Sequence, residues 1–67
     1  MPKKIRELKS MLRNAGWILI EGGKGSHTKW MHPRVARRLI LSGKDGSDAK
    51  KYQEKDVARA IQETSGE

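Results

Sequence analysis

A histidine lies two residues after a cationic glycine turn in this chain. The run Gly22-Gly23-Lys24-Gly25 precedes Ser26 and His27, and the residues after His27 alternate as they do in a β-strand. A backbone phosphate can come close to a glycine turn, and an imidazole accepts or donates a proton near neutral pH. If the chain is an enzyme, we predict that its chemistry occurs at His27.

The ionisable residues exclude several kinds of site. The chain has no cysteine, so it has neither disulfides nor a thiolate metal site. Its two histidines, His27 and His32, fall on opposite faces of a strand, so they are not expected to share a metal ion. Asp45 and Asp48 are interpreted as turn-forming residues. We therefore expect no metal site and no cofactor.

Positive charge is concentrated in the first two thirds of the chain. The net charge is +7, and residues 1–44 hold eleven Lys and Arg against two acids, while residues 45–67 hold four against six. Such a basic body attracts polyanions, which favours nucleic acid as the partner. No apolar run approaches the ~20 residues of a membrane span, and the basic N-terminus leads into charged residues rather than an apolar signal core. We expect a cytoplasmic protein with no membrane partner.

The hydrophobic periodicity predicts two helices that flank three strands. The first helix is predicted over 3–15 and the last from between Tyr52 and Glu54 to about Thr64. Strands are predicted over 17–21, 26–32 and 38–42, separated by a glycine turn at 22–25 and a loop at 33–37, with a polar loop at 43–48. The chain is therefore predicted to be one α+β domain over 1–67. Its order is α-β-β-β-α, with a three-stranded antiparallel sheet and both helices on one face.

Strand parity predicts which side chains face the helices. Trp30 is the large apolar residue of the second strand and should point inward, so His27 and Lys29 should lie on the open face. In the third strand, Leu39 and Leu41 should point inward, and Arg38 and Ile40 outward. This predicts a basic open surface around His27, built from Lys24, Lys29 and Arg38.

The two tryptophans and the second histidine have structural interpretations. Because the chain contains no Phe, Trp17 and Trp30 are predicted to pack in the core rather than to stack on bases. His32 is predicted to have a structural role, capping the strand end or bonding a backbone carbonyl.

These motifs resemble the HicA family of toxin components of toxin–antitoxin pairs. The resemblance is carried by the basic first helix, Gly16-Trp17, the Gly25-Ser26-His27 step, the aromatic Trp30 and His32-Pro33, and it covers roughly residues 3 to 64. It implies a fold similar to a double-stranded-RNA-binding domain and a ribonuclease that cleaves mRNA independently of the ribosome. It also implies a HicB antitoxin that covers the active site, and it makes His27 the catalytic residue.

The sequence departs from the family after the third strand. Many members carry a proline and a second histidine there, whereas this chain has Ser42-Gly43-Lys44. Catalysis here is therefore not expected to depend on a histidine at that place. The last helix is also more acidic than is common in the family.

The chemistry expected at His27 uses the nucleophile of the RNA itself. His27 would act as general base or acid on the ribose 2′-OH, and Lys24 and Lys29 would stabilise charge on the phosphate. The amides of Gly25 and Ser26 could also point at the phosphate, and Arg38 would contribute to RNA binding. The free toxin is expected to be a monomer.

Two other hypotheses remain open from the sequence. One is a non-catalytic RNA-binding module with the same fold. The other is an adaptor whose basic face docks an acidic protein. Replacement of His27 by Ala separates the enzyme from both.

Overall fold

Two helices and three strands follow one another in the predicted order. The computed structural model of the chain describes residues 2–22 and 27–65, and five elements lie within them: α1 (Ile5–Asn14), β1 (Ile18–Glu21), β2 (His27–His32), β3 (Val35–Ser42) and α2 (Lys51–Ser65). The strands form an antiparallel sheet in the order β1-β2-β3. The α+β fold and the α-β-β-β-α order predicted from the sequence are confirmed.

A hydrophobic core joins both helices to one face of the sheet. Its buried residues come from α1, α2, the inner positions of β2 and β3, and two flanking positions: Ile5, Leu8, Leu12, Trp17, Trp30, Leu39, Leu41, Ala49, Val57 and Ala60. Both helices therefore cover the same face, because their apolar stripes need an apolar surface to pack against. Trp30 has the largest of the fully buried side chains and is 0% exposed. Both tryptophans are core residues, as predicted.

The end of α1 explains why Trp17 is not part of β1. Gly16 has a φ of +95°, and its N–H donates to the carbonyl of Arg13 over 3.0 Å. The N–H of Trp17 donates to the carbonyl of Leu12 over 2.9 Å. These two bonds form a Schellman motif, which satisfies carbonyls at the helix end. The predicted strand at 17–21 therefore begins one residue too early, because the N–H of Trp17 caps the helix.

The predicted loop at 33–37 is wrong from Val35 onward. His32 pairs with Val35, so Pro33 and Arg34 alone form the turn between β2 and β3. Proline is tolerated there because a turn residue needs no N–H for the ladder. The nitrogen Nδ1 of His32 also accepts the N–H of Arg34 over 3.0 Å, which stabilises the tight turn.

The α2 helix begins at Lys51, before the predicted start. The N–H groups of Gln53 and Glu54 both donate to the carbonyl of Lys50, over 2.9 and 3.1 Å. The side-chain oxygen of Gln53 accepts the N–H of Lys50 over 2.9 Å. Lys50 is thus the N-cap residue. Gln53 is the third residue of the helix, and its side chain accepts the N–H of the N-cap residue, as in a capping box.

The loop between β3 and α2 is attached to the N-terminal turn of α1. The N–H of Ile5 donates to the carbonyl of Ser47 over 2.9 Å, and that of Arg6 donates to the carbonyl of Asp45 over 3.1 Å. These bonds satisfy N–H groups that have no partner inside α1.

None of the described helices is long and apolar enough to cross a membrane.

Candidate functional site

His27 is the first described residue of β2 and lies on the open face of the sheet. It is exposed, and its register partner on β3 is Ser42. Its ring nitrogen Nδ1 forms a hydrogen bond of 3.1 Å with the Ser42 hydroxyl, in a direction that depends on the imidazole tautomer. The predicted outward position of His27 is confirmed, because the alternation from the buried Trp30 places it on the solvent side.

A shallow hollow lies beside His27 on this face. It has a volume of about 150 Å³, and the described residues that line it include Glu21, His27, Thr28, Lys29 and Ile40. Lys29 faces Ile40 across the β2–β3 ladder and Glu21 across the β1–β2 ladder. An imidazole, a cation and a carboxylate therefore border one water-accessible space.

The charge of Lys29 is partly balanced by Glu21. The Lys29 Nζ lies 3.6 Å from Glu21 Oε1, and both side chains are well exposed. Exposed ion pairs contribute little stability, so a phosphate can compete with Glu21 for the ammonium group. Sequence reasoning identified Lys29 but did not identify Glu21, because the β1–β2 register was needed to place the two side chains together.

Arg38 lies on the same face but at a distance from His27. Its guanidinium donates to the carbonyl of Ala36 on its own strand over 3.3 Å. Ser42, the partner of His27, is four residues further along β3, which is about 13 Å at the usual rise of a strand. Arg38 is therefore not among the described residues that line the hollow beside His27.

Three of the predicted site residues immediately precede β2 in the sequence. Lys24, Gly25 and Ser26, predicted to bind RNA next to His27, lie outside the described residues, as does most of the predicted glycine turn.

His32 has the structural role that the sequence predicted, although its bond is to an N–H rather than to a carbonyl. It is buried, and its ring packs at a tilt of 59° against Trp17, with the ring centroids 5.6 Å apart. Its Nδ1 is occupied by the N–H of Arg34. Within the described part of the chain, no group of three His, Cys, Asp or Glu side chains could hold a metal ion.

Two acidic residues of the β3–α2 loop pair with lysines of the N-terminal region. Asp48 accepts a hydrogen bond from Lys4 Nζ over 2.7 Å, and Asp45 accepts one from Lys9 Nζ. The Lys9 ammonium holds the pKa of the Asp45 carboxyl below its usual value, first through this hydrogen bond and then through its charge. Both acids therefore attach the loop to the rest of the fold, beyond the turn-forming role that was predicted.

Sequence reasoning missed two residues behind His27. Ser42 stands opposite the imidazole, and the buried Gln53 donates through Nε2 to the carbonyl of Ser42 over 2.7 Å. The one feature of the sequence that could have indicated a role for Gln53 is its residue type, because Gln is favoured at the third position of a helix. Finding Ser42 required the β2–β3 register, and that depends on a turn of two residues rather than five.

Comparison with known proteins identifies a family for the chain. The family model described as the HicA toxin of bacterial toxin–antitoxin matches residues 5–62. No curated protein and no solved structure gives a significant match. The matched segment contains all of α1 and the three strands, and most of α2.

Proposed function

Because this chain belongs to the HicA toxin family of bacterial toxin–antitoxin systems, we propose that it is an endoribonuclease that cleaves messenger RNA with His27. The observation that carries the proposal is the placement of this imidazole. It lies on the open sheet face with Nδ1 bonded to Ser42, and no described residue forms a hydrogen bond with Nε2. An exposed nitrogen in that position supports proton transfer with a bound RNA.

The proposed reaction needs no metal ion. His27 Nε2 takes the proton of a ribose 2′-OH, the 2′-oxygen forms a bond to the adjacent phosphorus, and the bond from phosphorus to the 5′-oxygen breaks. The leaving 5′-oxygen takes a proton from the imidazolium or from water. The products are a 2′,3′-cyclic phosphate and a 5′-hydroxyl. A single general base of this kind contributes about 10²–10⁴-fold to the rate, which suits a slow enzyme.

Cationic groups would stabilise the charge that develops on the phosphate. Lys29 borders the same hollow as His27, which supports a role for its ammonium group at the reacting phosphate or at the neighbouring one. Lys24 and the amides of Gly25 and Ser26 have the same proposed role on the basis of their position in the sequence. Arg38 would contact a phosphate further along the strand.

The toxin–antitoxin family implies an antitoxin partner. We propose that it is a HicB-like protein that covers the open face and thereby blocks His27. Apolar side chains exposed on this face support a protein partner, because they have no use in phosphate binding: Ile40 is 54% exposed beside the hollow, and Ile18 is 50% exposed on β1. A toxin that cleaves mRNA acts in the cytoplasm, and we propose that it is a monomer when free.

Replacement of His27 tests the enzymatic function. His27→Ala and His27→Asn are expected to abolish RNA cleavage and growth arrest while the fold and most of the RNA affinity remain. Gln62→Ala, an exposed change on α2, is the control and should retain wild-type activity. EDTA should not inhibit the wild-type protein, and the cleaved RNA should carry cyclic phosphate ends.

Two results would contradict the proposal. One is cleavage by His27→Asn at the wild-type rate. The other is a product with a 3′-hydroxyl and a 5′-phosphate, which the 2′-OH route does not produce. If the wild-type protein binds RNA but cleaves it no faster than His27→Asn, the non-catalytic RNA-binding hypothesis is correct.

A further inference from the structure

Two other elements hold the end of β3 next to His27. On one side, the carbonyl of Ser42 accepts a hydrogen bond of 2.7 Å from Gln53 on α2. On the other side, Gly43 has a φ of +122° and packs against Ile5 of α1. A Cβ atom at Gly43 would lie 3.0 Å from Ile5 Cγ1, so the backbone passes too close to the core for a larger residue. The backbone of Ser42 is therefore held firmly on both sides.

The Gln53 side chain is buried and has partners at both ends of its amide. It is 6% exposed, its Oε1 accepts the N–H of Lys50 over 2.9 Å, and its Nε2 donates to Ser42. A buried amide is costly without such partners, so both bonds are needed. An N–H at one end and a carbonyl at the other also define which way the amide points.

Ser42 has the hydroxyl that can orient His27. The neighbouring hydroxyl on β2, that of Thr28, already donates to the carbonyl of Leu41 over 3.2 Å and accepts from Trp30 Nε1 over 2.9 Å. It also points towards the core, since Thr28 has the same strand parity as Trp30. Within the described residues, the imidazole of His27 is bonded to Ser42 alone.

We propose that Ser42 is a positioning residue for His27 and that Gln53 holds Ser42 in place. The inference rests on the proposed function and adds the direction of one hydrogen bond. The Ser42 hydroxyl accepts from His27 Nδ1–H, so the neutral ring carries its proton on Nδ1 and the lone pair of Nε2 faces the solvent. Nε2 then takes the 2′-OH proton, which gives an imidazolium with both nitrogens protonated. The proton leaves Nε2 with the 5′-oxygen or to water, which restores the starting tautomer.

The first test is Ser42→Ala, with Ser42→Thr as the conservative variant. We expect Ser42→Ala to lower kcat about 3- to 10-fold, the effect of losing one exposed hydrogen bond, with little change in KM. Ser42→Thr keeps the hydroxyl and should restore most of the rate. Ser10→Ala, which removes an exposed hydroxyl from α1, is the matched control and should keep the wild-type kcat.

A nitrogen-detected NMR measurement reports the tautomer of the His27 ring. A merely structural role of Ser42 would not change this tautomer. The ring of His27 is expected to be protonated mainly on Nδ1 in the neutral wild-type protein. In Ser42→Ala, where that nitrogen has lost its acceptor, the proton is expected to shift towards Nε2. Ser42→Thr should show the wild-type tautomer.

The role of Gln53 is tested by a substitution at this position, alone and together with a substitution of Ser42. Gln53→Met keeps the length of the side chain but removes both hydrogen bonds, and it should lower kcat by a similar factor. The double variant with Ser42→Ala should be no slower than the more impaired single variant, because both changes act through the orientation of one ring. If Gln53→Met does not fold, the kcat and tautomer of Ser42→Ala decide the inference.

The outcomes separate this inference from the proposed function. If His27→Ala is inactive but Ser42→Ala has the wild-type kcat and tautomer, the inference is wrong and the ribonuclease function stands. If His27→Ala still cleaves RNA, the proposed function is wrong. A wild-type ring protonated mainly on Nε2 would overturn the positioning role whatever the activity.

Discussion

The Nε2 atom of His32 lies 3.1 Å from the position that a Cβ atom on Gly16 would occupy. This contact joins the end of α1 to the end of β2. Gly16 also has a φ of +95°, where a residue with a side chain is strained. Two independent constraints therefore require glycine at this position.

Gly16→Ala is expected to destabilise the fold by about 1–3 kcal/mol, from the left-handed backbone and the displaced His32 ring together. Denaturant unfolding measures this change. Gly46→Ala is the matched control, because its Cβ would meet only Arg6 Nη1 at 4.0 Å and its φ is not in the left-handed region. An equal loss of stability in both variants would contradict the explanation.

The Lys9–Asp45 pair predicts a loss of stability in acid. The Lys9 hydrogen bond and charge lower the pKa of Asp45 in the folded state. The contribution of the pair is therefore present above the unfolded pKa and is lost as the pH falls through the lower, folded pKa. Wild-type Tm should exceed that of Asp45→Asn at neutral pH, and the difference should narrow at strongly acidic pH.

Asp56→Asn controls for net charge in that experiment. It removes the same charge from α2, where no ion-pair partner is within reach among the described residues. If the Tm difference for Asp45→Asn grew in acid, the sign of the argument would be wrong.

Glu21 is predicted to weaken RNA binding at the open face. Glu21→Gln releases Lys29 from its ion pair and removes a negative charge beside the hollow, so RNA should bind a few-fold more tightly and with a steeper salt dependence. The effect is measured by titrating labelled RNA with variants that also carry His27→Asn, in which we expect no cleavage.

The matched control for this change is Glu63→Gln. It also frees a cation, Arg37, from an exposed ion pair, with Arg37 Nη2 3.3 Å from Glu63 Oε1, and it changes the net charge by the same amount. That pair joins β3 to α2, away from the hollow. Equal gains in both variants would mean that overall charge, rather than the hollow, determines the RNA affinity.

Ile40 is predicted to contribute to antitoxin binding. Ile40→Ala removes apolar surface from the open face, where the side chain has few neighbours, so the fold should be nearly unaffected. Its affinity for the antitoxin should fall by about 10-fold if the residue is buried in the complex, since that is the effect of roughly 1.4 kcal/mol. Calorimetry with the purified partner is a suitable measurement.

Tyr52→Ala provides the comparison for Ile40. Tyr52 is 60% exposed on α2, away from the open face, and its loss should leave antitoxin affinity unchanged. A larger effect at Tyr52 than at Ile40 would show that the antitoxin binds the helical side.

Much of this fold could be predicted from the sequence because it depends on local periodicity. The spacing of Ile5, Leu8 and Leu12 is that of one helix face, and the alternation around Trp30 placed His27 on the open side. The predictions that failed are at element boundaries. Trp17 is apolar enough for a strand, yet its N–H caps α1, and that bond cannot be recognised from residue types alone.

The sequence by itself determined the order of the elements, the inward faces of the helices and of β2 and β3, and the family through the Gly-Ser-His step and its surroundings. Only the tertiary structure decided which residues meet at the candidate site. Ser42 faces His27 because the β2–β3 turn has two residues, and Gln53 reaches Ser42 because α2 starts beside the end of β3. The hydrophobic periodicity of the sequence relates residues that are only a few positions apart. These contacts join residues 15 and 11 positions apart, and they depend on a register that only the folded sheet and its packing define.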